Sequence, residues 1–192
     1  FLLTLSCHIL HAEESIDDFR IDLKATQQDT TRINILFKMG YQFINGPSDS
    51  LLFYFGKAMK IIDDNLLKLD KEGKPDSKEF KQFQKYKARV WIEFGIEFFY
   101  KSEYDSALVF YTNALNISKA LNDIDLMSEC YSELGIVYKN QGNFDQALAY
   151  YNKALEMARQ TTDSSWIASC QVNIGNVYKG KGYNTIALKY YL

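Results

Sequence analysis

The sequence predicts an all-α repeat array, and three observations carry that expectation. Hydrophobic residues make up 47% and charged residues 24% of the 192, the balance of a chain that folds. Its prolines are Pro47 and Pro75 alone, and no β-branched alternating runs mark strands. The third observation is a segment that returns every forty residues, which is the signature of stacked supersecondary units. A formal net charge of −2 with scattered Lys and Arg lacks the electrostatic footprint of a nucleic-acid binder, so no direct nucleic-acid partner is expected.

Residues 1–12, FLLTLSCHILHA, are apolar for about the length of a signal-peptide core but lack a basic leader. They read as the remnant of a signal peptide ending near Ala12, as a lipoprotein leader around Cys7, or as a buried helix end. At twelve residues the segment is shorter than the roughly 20 needed to span a bilayer. With Phe1 first and no methionine before Met39, a processed chain or fragment is expected. In the next stretch, 13–28, Ile16, Phe19 and Leu23 stand at helical spacing, which predicts a capping helix over the open end of the array. Asp29 then stands where the N-cap of the first repeat helix is expected.

The array itself is predicted over 29–192, in units at about 31–70, 77–122, 123–162 and 163–192, the last truncated. Leu36-x-x-Met39-Gly40-x-x-Phe43 superimposes on Trp91-x-x-Phe94-Gly95-x-x-Phe98, on Tyr131-x-x-Leu134-Gly135-x-x-Tyr138 and on Gln171-x-x-Ile174-Gly175-x-x-Tyr178. Second halves follow as Leu51-x-x-x-Phe55, Ala107-x-x-x-Tyr111, Ala147-x-x-x-Tyr151 and Ala187-x-x-x-Tyr191. These spacings put the marked residues on one face of two successive helices, so each copy is a helical hairpin. A mid-helix glycine costs about 1 kcal/mol against alanine, and its return in each copy predicts close helix approach, Gly95 against Ala107, with aromatics wedged between hairpins. Gly142 and Gly182 are expected as left-handed helix ends. Between the first two copies, LDKEGKPDSKEF predicts a loop closed by an Asp76–Glu79 capping pair, and Asp123 and Asp163 are expected to cap later helices.

The pattern of aromatic, Leu-Gly, Tyr, then Ala and an aromatic resembles the tetratricopeptide repeat family over about 31–192. It departs from it in a period of forty rather than about 34 and in lacking the closing proline. The resemblance implies a right-handed superhelical α-solenoid whose concave face binds protein or peptide. It places Phe37, Tyr41, Arg89, Ile92, Ile96, Tyr100, Glu129, Ser132, Ile136, Lys139, Ser169, Asn173, Asn176 and Lys179 exposed on that face. Three tandem repeats of the family also grip acidic chaperone tails through a cationic clamp. Mapped from the first copy, the clamp positions hold Phe37, Tyr41, Glu93, Glu129 and Glu133. Mapped from the second they hold Ile92, Ile96, Glu133, Ser169 and Asn173. No acidic-tail clamp is therefore expected.

No enzyme, cofactor or metal site is expected either. His8 and His11 are the chain's histidines and both lie in the leader-like stretch, where Cys7-His8-x-x-His11 lacks a fourth ligand. Cys130 and Cys170, equivalent positions of neighbouring units, are expected to be free packing residues. Long-repeat arrays with an opening like Asp29 to Arg32 resemble the exported sensor halves of bacterial signalling proteins with a histidine kinase or DNA-binding output. The resemblance implies an exported, periplasmic or membrane-anchored module of a longer protein. The alternative is a cytoplasmic peptide-responsive regulator or scaffold.

Overall fold

The computed structural model describes residues 15–43, 48–161 and 163–192, so the leader reading of 1–12, with Cys7, His8 and His11, lies outside the described residues. Regular structure among them is helical: α1 (Ile16–Ala25), α2 (Asp29–Tyr41), α3 (Ser48–Lys71), α4 (Lys78–Tyr100), α5 (Tyr104–Leu121), α6 (Ile124–Asn140), α7 (Phe144–Thr161), α8 (Ser164–Gly180) and α9 (Asn184–Tyr191). The chain divides between Ile61 and Ile62, inside α3, into two compact units.

In the first unit, Ser15 starts α1 with a capping box, its hydroxyl accepting from the Asp18 amide at 3.2 Å while its own amide donates to the Asp18 carboxylate at 2.9 Å. Phe19 is buried, as its spacing predicts. The expected Asp29 cap is corrected: Gln28 holds the N-cap position without a side-chain bond, and Asp29 is already helical. Its carboxylate sits in the first turn, where the helix dipole favours it, and accepts from Arg32 Nη1 at 3.0 Å. Ile33, Leu36, Met39, Phe55 and Ala58 fill the core between α2 and α3.

In the second unit, α4–α5, α6–α7 and α8–α9 form three successive hairpins. Ser77 caps α4, accepting from the Phe80 amide at 3.1 Å, where the sequence favoured Asp76; the start of the helix shifts by one residue. Asp123 and Asp163 cap α6 and α8 as expected, accepting from the Leu126 amide and from the Ser165 and Trp166 amides. The turns inside the hairpins place Ser102, Gly142 and Gly182 in the left-handed region, at φ 62°, 76° and 81°. Glycine meets that demand freely, whereas serine is strained by its Cβ.

The repeated mid-helix glycines have a different cause from the one the spacing suggested. A Cβ at Gly95 would stand 2.5 Å from the Tyr111 ring, one at Gly135 2.7 Å from Tyr151, one at Gly175 2.5 Å from Tyr191 and one at Gly40 2.6 Å from Phe55. Each glycine is thus the seat of an aromatic ring from the partner helix of its own hairpin, rather than a point of contact with the small Ala107-type residue. The other aromatics stack within hairpins too, Phe98 on Phe110 at 5.0 Å, Tyr138 on Tyr150 at 5.4 Å and Tyr178 on Tyr190 at 5.6 Å. Tyr111, Tyr151, Ala107, Ala147 and Ala154 are fully buried. Burying one large apolar side chain stabilises by about 1.5–3 kcal/mol, so the ring-on-glycine contact outweighs the glycine's roughly 1 kcal/mol helix penalty.

Side chains also stitch the hairpins together. The Ser128 hydroxyl on α6 donates to the Ala154 carbonyl on α7 at 2.9 Å and accepts from the Trp166 indole Nε1 on α8. Cys130 and Cys170 are free and buried, as expected, and burial pushes both thiols above their ordinary range.

Candidate functional site

The sequence-selected groove residues fall on both units. On the first, Phe37 is buried rather than exposed, its ring tilted on Phe55 at 5.2 Å, while Tyr41 is exposed and meets Phe55 edge-on at 5.4 Å.

On the second unit, the first helix of each hairpin presents equivalent positions forty residues apart. One register holds Arg89, Glu129 and Ser169; another holds Glu93, Glu133 and Asn173; a third holds Ile96, Ile136 and Asn176. Two expected groove residues are not open. Ile92 and Ser132 are buried because the next hairpin covers that edge of the helix, bringing the Ser132 hydroxyl within 4.0 Å of Cys170 Sγ. Their equivalent in α8, Val172, has no following hairpin over it among the described residues and is 43% exposed. Tyr100, Ser169, Asn176 and Lys179 are exposed, and Arg89, Ile96, Glu129, Ile136, Lys139 and Asn173 are half-buried. The Ser169 hydroxyl donates to the Ser165 carbonyl at 3.0 Å.

Charge concentrates between α4 and α6. Arg89 Nη1 donates to both Glu129 oxygens, at 2.6 and 2.7 Å. Lys85 pairs with Asp123 at 2.7 Å at one end of this face, and Lys101 with Glu97 at 3.4 Å at the other. Glu93 is buried to 7% exposure and Glu133 is half-buried. Burial raises the Glu129 carboxyl above its usual range although Arg89 opposes the shift. Burial, then the Glu129 charge, then that of Glu93 push Glu133 up to about 7, with the Tyr111 hydroxyl acting the other way.

The sequence reading took Tyr111 and Tyr151 as packing rings alone, and their hydroxyls give them a second property. Both are buried without a hydrogen-bond partner, and burial followed by the Glu133 charge raises the pKa of each. The Tyr111 hydroxyl lies near enough to Glu133 to affect it, yet outside hydrogen-bond geometry. The signal for this was the change from Phe55 in the first copy to tyrosine in the later ones. Among the described residues no group of three His, Cys, Asp or Glu could hold a metal ion, and no helix is long and apolar enough to cross a membrane.

Stacked two-helix units with a ring-on-glycine seat at a fixed place define a helical repeat protein of the solenoid class. Residues 126–192 match the model of the tetratricopeptide repeat family. Over that stretch, about a third of the chain, the sequence carries the tetratricopeptide repeat, and the whole second unit shares the repeat's helical-hairpin fold. Solved structures share the fold. BtubC from P. vanneervenii superimposes with a TM-score of 0.68 at 18% identity, over 91% of this chain and 68% of its own. RapI in its apo form gives 0.71 at 19%, over 91% and 45%. A signal transduction ATPase from Pyrococcus horikoshii with a tetratricopeptide repeat sensor gives 0.62 at 17%, over 90% and 26%. This chain thus spans less than half the length of the last two. No curated protein sequence matches it.

Proposed function

We propose that the chain is a non-enzymatic protein- or peptide-binding module and that it forms the exported sensor part of a longer bacterial signalling protein, periplasmic or membrane-anchored, with a histidine kinase or DNA-binding output. The observation that carries the binding role is the register of polar side chains, Arg89, Glu129 and Ser169 beside Glu93, Glu133 and Asn173, repeated at one helix spacing. An extended ligand can meet such a row at successive points, each adding to a shared interface. The sensor role draws on the Asp29–Arg32 opening and on the P. horikoshii protein, in which such repeats serve as a sensor. The groove is expected to refuse acidic chaperone tails, since carboxylates stand at the clamp positions.

Fractionation of cells producing the full-length protein tests the sensor role. The repeats are expected to be cleaved by protease added to spheroplasts while cytosolic markers survive. Repeats that stay protected until the cells are lysed would overturn export and favour the cytoplasmic peptide-responsive regulator.

A further inference from the structure

The α6–α7 hairpin repeats the ring packing of α4–α5 with different chemistry. In α4–α5 the Phe110 ring stacks on Trp91 at 5.4 Å and on Phe98 at 5.0 Å. Forty residues on, Tyr150 meets Tyr131 at 6.2 Å and stacks on Tyr138 at 5.4 Å. Three rings without a hydroxyl have become three phenols, and Asn113, one turn beyond Phe110, has become Lys153. Packing does not ask for these changes, since the apolar set fills the same seats. Tyr131 and Tyr138 stand two turns apart on α6, roughly 140–180° round the helix from Glu129, Glu133 and Ile136 of the groove register.

Donors collect on this side without acceptors. Lys119 Nζ, from the last turn of α5, and Lys153 Nζ, from α7, stand 5.7 and 5.6 Å from the Tyr131 centroid, so the two nitrogens lie no further apart than those lengths laid end to end. Lys153 Nζ is also 5.3 Å from the Tyr150 ring. Both lysines are exposed, and among the described residues neither makes an ion pair, whereas Lys85, Lys101 and Lys181 each hold a carboxylate. Glu156, the carboxylate one turn along α7 from Lys153, engages neither. The hydroxyls of Tyr131, Tyr138 and Tyr150 make no hydrogen bond among the described residues, and unlike those of Tyr111 and Tyr151 they reach solvent. A ring face meets only part of an ammonium's three N–H donors, so both cations keep donors to give.

We propose that Lys119, Lys153 and the hydroxyls of Tyr131, Tyr138 and Tyr150 form a docking face for an acidic segment of a partner protein, whose Asp and Glu carboxylates meet the two ammonium groups. The charge is complementary, because two cations without an anion of their own stand beside one ring. Lysines from two different helices offer separate point charges, which suit carboxylates spaced along a chain better than the single forked group that phosphate favours. Two cations are also too few for a nucleic-acid backbone, whose affinity grows with each phosphate neutralised. The phenols add neutral donors for the remaining carboxylate oxygens. This face lies away from the groove register, so an acidic segment that the groove refuses has a place on the other side of α6, and the failure of one site leaves the other standing.

Fluorescence anisotropy tests this with the whole 1–192 chain and a labelled nonapeptide of alternating Glu and Ala, capped at both ends, against its Gln–Ala counterpart. The acidic peptide is expected to bind about tenfold more tightly at low salt, and the preference should shrink as added salt screens the exposed charges. Lys119→Gln and Lys153→Gln should each weaken it about two- to fivefold with Tm unchanged. Tyr150→Phe, which keeps the ring, should weaken it about twofold. Lys179→Gln on α8 removes the same charge outside the face and should change nothing. Absence of an acidic preference, or one that survives the loss of both lysines, would overturn the site and leave the groove reading standing. An equal loss on Lys179→Gln would show attraction by diffuse charge and overturn it too. Displacement of the acidic peptide by millimolar inorganic phosphate would assign the face to phosphate groups and overturn the protein segment.

Discussion

The hairpins α4–α5 and α8–α9 are built on one plan and differ at three matched places. Tyr111 and Tyr191 both lie over a glycine, Gly95 and Gly175. Beside Tyr191 stands Asn176, whose Oδ1 accepts from the tyrosine hydroxyl at 2.9 Å. The matching residue in α4 is Ile96, which accepts nothing, and the Tyr111 hydroxyl is left buried and unpartnered. Glu93 becomes Asn173, and Ser102 becomes Gly182. Backbone and ring packing are thus constant along the second unit, while the polarity next to each ring changes from repeat to repeat. The positions that hold the fold are therefore distinct from those whose polarity varies.

The sharpest way to break the comparison is to fill the seats. Gly95→Leu should destabilise by about 1–2 kcal/mol in thermal unfolding, overpacking at the upper end of its usual range outweighing a helix-propensity gain of roughly 1. Gly175→Leu should cost less than half as much, because Tyr191 is 41% exposed and can swing into solvent while Tyr111 cannot. Equal costs would show that the ring's freedom to leave its seat does not set the cost of filling it.

A smaller and opposite pair of effects is expected at the hydroxyls. Tyr111→Phe removes an unsatisfied buried group and should raise stability by about 1 kcal/mol. Tyr191→Phe removes the bond to Asn176 and should lower it by about 0.5 kcal/mol. Urea unfolding of both variants measures the difference, and a loss at Tyr111 would mean that its hydroxyl has a partner in solution. Smallest is the turn: Ser102→Gly relieves a left-handed serine and should stabilise by roughly 0.5–1 kcal/mol, with Gly182→Ser costing a similar amount. A Tm unchanged by both substitutions would remove backbone strain from the account.

Periodicity in the sequence was enough to read the hairpins, the Asp123 and Asp163 caps and the glycine turns, because each depends on neighbours within a few residues. What escaped it depends on contacts across helices. Spacing marks Gly95 and Tyr111 as inward-facing but not which residue sits on which, so it points to helix approach rather than to ring seats. Likewise it gives a helix face without its edges, and Ile92, Ser132 and Phe37 lie where a neighbouring helix closes over them. The carboxylates of Glu93 and Glu133 were visible as obstacles to an acidic tail. Their meeting with a tyrosine hydroxyl required the fold.

The Ser128 hydroxyl, accepting a hydrogen bond from the Trp166 indole while donating one to the Ala154 carbonyl, joins three helices through one side chain. Trp166 is one of two tryptophans in the chain, the other being Trp91 on α4. The last hairpin therefore carries its own optical reporter: indole emission from residue 166 changes when α8 lifts from α6, whereas Trp91 reports the hairpin two places earlier. Since stacked repeats can fray from an end before the middle opens, the two fluorophores separate peeling from global unfolding within one chain.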